Sequence, residues 1–153
     1  MFIISDNFNE LRKYISLWKQ KEYRVGFIPT MGNLHSGHLR LIEQIKKRDV
    51  DKTIVSIFVN PMQFGASEDL SSYPRTLTED QDKLDAENVD YLFIPDVPEI
   101  YPNGVDNHTT VANPSLSNML CGIHRPGHFQ GVCTIVNKLF NLVQPSVAIF
   151  GEK

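Results

Sequence analysis

Phe8, Leu11, Ile15 and Trp18 recur at spacings of three, four and three, which marks one face of an amphipathic helix ending near Gln20. Asn7 and Glu10 stand where a capping box would start it. Arg24 to Ile28 reads as a short strand, broken by Pro29-Thr30-Met31-Gly32. A second helix, from about Gly37 to Lys47, places Leu39, Ile42 and Ile45 on one buried face. Lys52 to Val59 is β-branched and almost wholly apolar, the pattern of a central strand covered on both faces of a parallel sheet. Asn60-Pro61 ends it, and a loop runs to about Thr76. Thr78 is the expected cap of a helix through Glu87, with Glu79 and Asp80 in its first turn. Asp90 to Ile94 is a third strand, stopped by Pro95, and 95–108 reads as loop. Thr109 to Ala112 suits a short edge strand, Ser115 to Leu120 a short helix, and Gly122 to Gly131 a further loop. Val132, Ile135, Val136, Leu139, Phe140 and Val143 then form a strong helical stripe that Pro145 closes. Val147 to Phe150 is the last strand, before Gly151-Glu152-Lys153.

Strands alternating with helices imply right-handed βαβ units, hence an α/β, Rossmann-like, doubly wound parallel sheet. In such sheets ligands bind beyond the carboxyl ends of the strands. Three polar clusters fall at such ends: 29–38, 60–65 and 151–153. The length, 153 residues, suits one domain. The chain stops where a strand would lead into covering structure, so a truncated protein is expected.

Composition narrows the class. Hydrophobic residues at 41% and charged residues at 22% exclude a disordered tail, a coiled coil and a collagen-like rod. The longest apolar run, Ile54 to Val59, is interrupted by Ser56 and is too short to cross a bilayer. No basic stretch precedes the apolar residues of MFIISDNF, so no secretory signal is expected. Ten basic and six acidic residues precede Thr53; five basic and twelve acidic residues follow. No Lys/Arg run dominates, which argues against nucleic acid and against a membrane surface as partner. An anionic ligand would need local donors. Two cysteines make no disulfide framework, which fits a cytoplasmic location.

The richest chemistry lies in Pro29-Thr-Met-Gly-Asn-Leu-His35-Ser-Gly-His38, between a strand and a helix. Gly37 removes a side chain where a ligand could approach backbone, and His38 falls in a first helical turn that favours anions. Two imidazoles there can donate to phosphate oxygens or to charge developing on a leaving pyrophosphate. The plain alternative is a turn with surface histidines. In Phe58-Val-Asn60-Pro-Met-Gln63-Phe-Gly65, a Gln between Met62 and Phe64 can hold a small substrate in an apolar pocket, or can simply be a turn. Lys153 can reach a phosphate as a point charge, although a terminal Lys is usually solvated. Cys121-x2-His124-x3-His128-x4-Cys133 has zinc-ligand types, but Pro126 and Gly127 intervene and Cys133 lies beside apolar helix positions. No metal site is therefore assigned. The G-x-x-x-x-G-K-[ST], G-x-G-x-x-G, G-x-S-x-G and H-E-x-x-H patterns are absent.

PTMGNLHSGH, SIFVNPMQFG, YPRT, RPGHFQGV and FGEK, in this order and spacing, closely resemble the pantothenate synthetase (pantoate–β-alanine ligase) family of the His-x-Gly-His nucleotidylyltransferase superfamily. The resemblance implies that residues 1–153 are an N-terminal Rossmann-like domain binding ATP and pantoate, with the C-terminal domain missing. It implies a cytoplasmic homodimer that uses ATP and Mg²⁺ to join pantoate to β-alanine through a pantoyl adenylate. By the same resemblance Met31, Gly32, Asn33, Leu34, His35, Ser36, Gly37, His38, Gly151, Glu152 and Lys153 bind ATP. His38, His35 and Lys153 act in catalysis. Gln63, Phe58, Asn60, Ile135, Val136, Leu139 and Phe150 form the pantoate and β-alanine site. The family continues past Gly-Glu-Lys into further substrate- and ATP-binding residues, so this chain alone is expected to be inactive. A different adenylyl- or cytidylyltransferase of the same fold is the nearest alternative, opposed by Val-Asn-Pro-Met-Gln-Phe. A non-enzymatic binding module is the third.

Overall fold

The computed structural model describes residues 2–65, 70–115, 117 and 121–151, with Cys121 described through its backbone alone. Five strands, β1 (Ile3–Ser5), β2 (Val25–Thr30), β3 (Lys52–Ile57), β4 (Tyr91–Phe93) and β5 (Val147–Ala148), form one sheet in the order β1-β4-β3-β2-β5. All pairings are parallel, with Phe27 of β2 opposite both Ile54 of β3 and Ala148 of β5. Successive side chains of a strand point to opposite faces. On β2, Val25 and Phe27 accordingly join one apolar cluster with α1 (Phe8–Gln20) and α6 (His128–Val143). Ile28 joins a second cluster with α2 (Ser36–Lys46) and α3 (Leu77–Ala86). On β3, Ile54 and Val55 divide in the same way, and both are fully buried. Each such side chain contributes about 1.5–3 kcal/mol on burial. The sheet is thus doubly wound, as the strand–helix alternation predicts.

The stripes of α1, α2 and α6 face inward where their periodicity places them. Leu11, Ile15 and Trp18, Ile42 and Ile45, and Ile135, Leu139 and Val143 are all buried. Asn7 starts α1, its Oδ1 accepting the Glu10 N–H at 3.0 Å.

Other elements depart from the sequence reading. β1 is an additional strand, three residues long and formed only by pairing with β4. α3 begins at Leu77, so Thr76, not Thr78, occupies the capping position, and its side chain makes no capping bond. A short helix, α4 (Val97–Ile100), replaces part of the expected 95–108 loop, capped by Asp96 on the Glu99 N–H. Thr109 to Ala112 is not a strand; the Val111 N–H donates instead to Thr134 Oγ1 of α6 at 3.0 Å. The helix expected over Ser115 to Leu120 falls mostly outside the described residues. Where a loop is expected over 122–131, α5 (Cys121–His124) forms and α6 starts at His128. Gly131 costs that helix propensity. It is admitted because a Cβ there would lie 2.5 Å from the Met62 carbonyl oxygen, so the backbone of 61–63 packs directly on α6.

The connections β2-α2-β3 and β3-α3-β4 step away from β2 in one direction, whereas α6 returns the chain to β5 on the other side of β2. The order therefore reverses at β2, and a crevice opens beyond its carboxyl end.

Candidate active site

β2 ends at Thr30 and α2 starts at Ser36. The connection turns through two left-handed residues, Gly32 at φ +81° and Asn33 at φ +52°. His35 then caps α2, its Nδ1 accepting the Gly37 N–H at 3.1 Å. His38 reaches back, its Nδ1 accepting the His35 N–H at 3.3 Å. The two rings stand 4.2 Å apart. A nitrogen that accepts an N–H carries no proton of its own, so each neutral ring bears its proton on Nε2. Gly37 is explained by this geometry: a Cβ there would lie 2.8 Å from His35 Cε1. It makes room for the histidine ring rather than for a left-handed turn. Burial, then the neighbouring His35, lowers the His38 pKa below 6.5, partly offset by Asp80. His38 is thus an uncharged donor at neutral pH, set in a helix N-terminus that favours anions.

The second cluster is built around Gln63, in the 3-10 turn Pro61–Gln63. Asn60, fully buried before it, accepts the Met62 N–H at 3.3 Å and the Tyr101 hydroxyl at 2.8 Å on Oδ1. Its Nδ2 donates to the Gly131 carbonyl and to Gln63 Oε1, both at 3.1 Å. Backbone N–H groups only donate and carbonyls only accept, so Met62 and Gly131 fix the Asn60 amide. Asn60 in turn holds Gln63 by its oxygen and leaves the Gln63 NH2 as donor. Burial pushes the Tyr101 hydroxyl up to about 12, so it stays protonated and donating. From the other side, His128 Nδ1 donates to the Gln63 carbonyl at 2.8 Å, and its Nε2 accepts from the Arg125 guanidinium at 3.3 Å.

Both clusters open on one cavity of about 750 Å³ at the carboxyl end of β2. Met31, His35, Gly37 and His38 line one side; Gln63, Phe58, Ile135, Val136 and Leu139 line the other; Phe150 and Gly151 close the β5 end. Five expected residues do not line it. Leu34 is buried in the α2–α3 core, Gly32 lies against Ile57 and Asp80, and Asn33 and Ser36 are exposed. Asn60 lies beneath Gln63 and supports it. Glu152 and Lys153 lie outside the described residues. Tyr73, Arg125, His128 and Phe129 also line the cavity. They belong to the YPRT and RPGHFQGV segments, which carried the resemblance without an assigned role. A smaller cavity, about 340 Å³ at the amino end of the sheet, is bordered by Trp18 and the Lys52–Asp90 ion pair and gathers no comparable donors.

Among the described residues the zinc arrangement is not assembled. Both His128 nitrogens are engaged, the Cys121 side chain is outside the described residues, and Cys133 is a half-buried free thiol. Among the described residues no three His, Cys, Asp or Glu side chains converge on one point. Among them, too, no helix is long and apolar enough to cross a membrane.

The pantoate–β-alanine ligase family model matches residues 3–153. The chain is 53% identical over 150 residues to a pantothenate synthetase of Alteromonas mediterranea, covering 98% of this chain and 53% of that protein. It is 52% identical over 151 residues to one of Shewanella halifaxensis, covering 99% and 53%. The crystal structure of pantothenate synthetase from Thermus thermophilus superimposes with a TM-score of 0.87 at 45% identity, over 99% of this chain and 52% of that one. A pantoate–β-alanine ligase from Francisella tularensis, complexed with β-γ ATP and β-alanine, gives 0.86 at 40% identity, over 97% and 56%. The chain spans about half the length of the curated relatives it matches. Matched by the family model over nearly its whole length, the chain belongs to the pantoate–β-alanine ligase family.

Proposed function

We propose that this chain is the N-terminal half of an ATP-dependent ligase that condenses pantoate with β-alanine through a pantoyl adenylate. The observation that carries the reading is the cavity at the carboxyl end of β2, which sets an anion-favouring helix N-terminus opposite a small apolar pocket bearing one amide donor. ATP phosphates lie at His35, Gly37 and His38, with Gly151 toward the ribose. Pantoate lies against Phe58, Ile135, Val136, Leu139 and Phe150, its polar groups on the Gln63 NH2, where β-alanine follows.

The pantoate carboxylate is already ionised and needs no base. It attacks the α-phosphorus of ATP; the bond to the bridging oxygen breaks, and pyrophosphate leaves with that electron pair. His38 and His35 donate Nε2–H to the oxygens that gain charge, a contribution largest in the transition state. The β-alanine amine then attacks the acyl carbon and AMP departs. Lys153 and Glu152 complete the ATP site in this reading, Lys153 as a point charge on phosphate. Mg²⁺, when bound, would neutralise charge on the triphosphate; no Asp or Glu among the described residues lines the cavity, so phosphate oxygens and waters would supply its ligands there. The enzyme works in the cytoplasm as a homodimer. Residues 1–153 alone give no turnover, because half the phosphate clamp and the cover that excludes water from the acyl adenylate belong to the remainder.

Pyrophosphate release with pantoate, compared with other small hydroxy acids, tests the reading. Release with pantoate and subsequent pantothenate formation on adding β-alanine are expected from the full-length protein. Equal release with every acid would overturn it. Turnover by residues 1–153 matching that of the longer protein would refute the account of the clamp.

A further inference from the structure

We propose that Asp80 is the positioning residue of this site: its buried carboxylate, on α3, locks the Gly32–Leu34 turn and through it sets the ring geometry of His35 and His38. The proposal rests on the reading of that turn as the ATP phosphate site.

Asp80 is 1% exposed and does not line the cavity. Its Oδ2 accepts the Asn33 N–H at 2.9 Å and its Oδ1 the Leu34 N–H at 2.7 Å. A backbone turn that aims successive N–H groups at one point forms an anion-binding concavity. The turn through Gly32 and Asn33 aims the Asn33 and Leu34 N–H groups in this way, and here the anion is supplied by the protein itself. Lys83, one turn along α3, donates to the Leu34 carbonyl at 2.8 Å and lies 3.9 Å from Asp80 Oδ1. α3 therefore grips both the N–H and the C=O of Leu34, the residue directly before the helix cap. A buried carboxylate is tolerated only when hydrogen-bonded and paired, and these contacts meet both needs.

An unsupported pair of left-handed residues would leave the turn free to relax. The Nδ1 contacts that orient His35 and His38 start from the backbone N–H groups of Gly37 and His35, at the helix start that follows that turn. Holding Leu34 thus holds the frame on which both rings are hung. Asp80 also acts at longer range: its charge opposes the lowering of the His38 pKa. Among the described residues, the other titratable groups about the site are His35 on the same turn, Lys83 beside Asp80 on α3, and Tyr73, Arg125 and His128 in the lining of the cavity.

An Asp80→Asn substitution keeps the shape but turns an NH2 toward one of the two backbone N–H groups. In the full-length protein it should weaken binding of a non-hydrolysable ATP analogue about tenfold, the scale of one lost charge-assisted hydrogen bond, with pantoate affinity nearly unchanged. Amide exchange at Asn33 and Leu34 should accelerate about tenfold while α1 and α6 keep their protection. The His38 imidazole should titrate at lower pH than in the parent. Lys83→Met, at a partly exposed position, should accelerate exchange at Leu34 and weaken the analogue severalfold. Exchange and titration require no turnover, so they decide the role of Asp80 even if the parent protein makes no pantothenate. Unchanged exchange at Asn33 and Leu34, together with an unmoved His38 midpoint, would overturn the proposal. So would a loss of protection spread evenly over the fold, which would make Asp80 a general stability residue.

Discussion

Asn60 and Gln63 are joined amide to amide, Nδ2 donating to Oε1 at 3.1 Å, and the orientation of the first dictates that of the second. The chain of dictation begins at two backbone atoms, the Met62 N–H and the Gly131 carbonyl, and ends at an NH2 group left for the cavity. A pocket that presents a donor selects an acceptor, such as a carboxylate or hydroxyl oxygen.

Gln63→Ala should therefore cost pantoate binding on the order of 1–3 kcal/mol, the penalty for leaving polar groups unpaired in a dry pocket. Asn60→Ala should reproduce much of that loss at one remove, because Gln63 is then free to turn. ATP affinity should change far less in both. Calorimetry with each ligand is the check; equal losses for pantoate and ATP would mark Gln63 as a structural residue.

In the full-length protein, His38→Ala should slow adenylate formation more than it weakens pantoate binding. Removing one donor aimed at developing charge typically costs about 2.7–4 kcal/mol of barrier. Single-turnover rates at saturating ATP measure this, and an unchanged rate would sink the assigned role.

Gly131→Ala should destabilise the protein by about 1–3 kcal/mol, since the added methyl meets the Met62 carbonyl and the backbone must shift. The shift also displaces Gln63, so in the full-length protein the pantoate KM should rise with the fall in melting temperature. A variant with normal melting and normal KM would show that α6 and the 61–63 turn separate easily.

Protons should weaken the fold through His38. Its pKa is lowered in the native protein by burial and by His35, so the unfolded chain binds the proton more readily. The native state is then penalised as pH falls below about 6.5, and the penalty is absent above it. Urea midpoints at pH 5 and pH 7.5 should differ more for the parent than for His38→Gln. A steeper acid loss in His38→Gln would reverse the sign and refute the argument.

The fold class was legible because doubly wound sheets leave strong marks: the spacings of Leu11, Ile15 and Trp18, the apolar run of β3, and the stripe from Ile135 to Val143. The position of the cavity that forms the candidate site was legible too, since His35, His38 and Gln63, which line it, all follow strands whose carboxyl ends meet in parallel packing. β1 was not legible, because three residues form a strand only when β4 supplies their hydrogen bonds. Nor was the start of α6, where Gly131 argues locally against helix and packing against Met62 overrides it. The inward part of the site belongs to tertiary structure alone. Asp80 lies 46 residues beyond the Leu34 amide it holds, and Tyr101 lies 41 beyond Asn60. Such pairings leave no local period or spacing, because they depend on where helices from distant parts of the chain come to rest on the sheet.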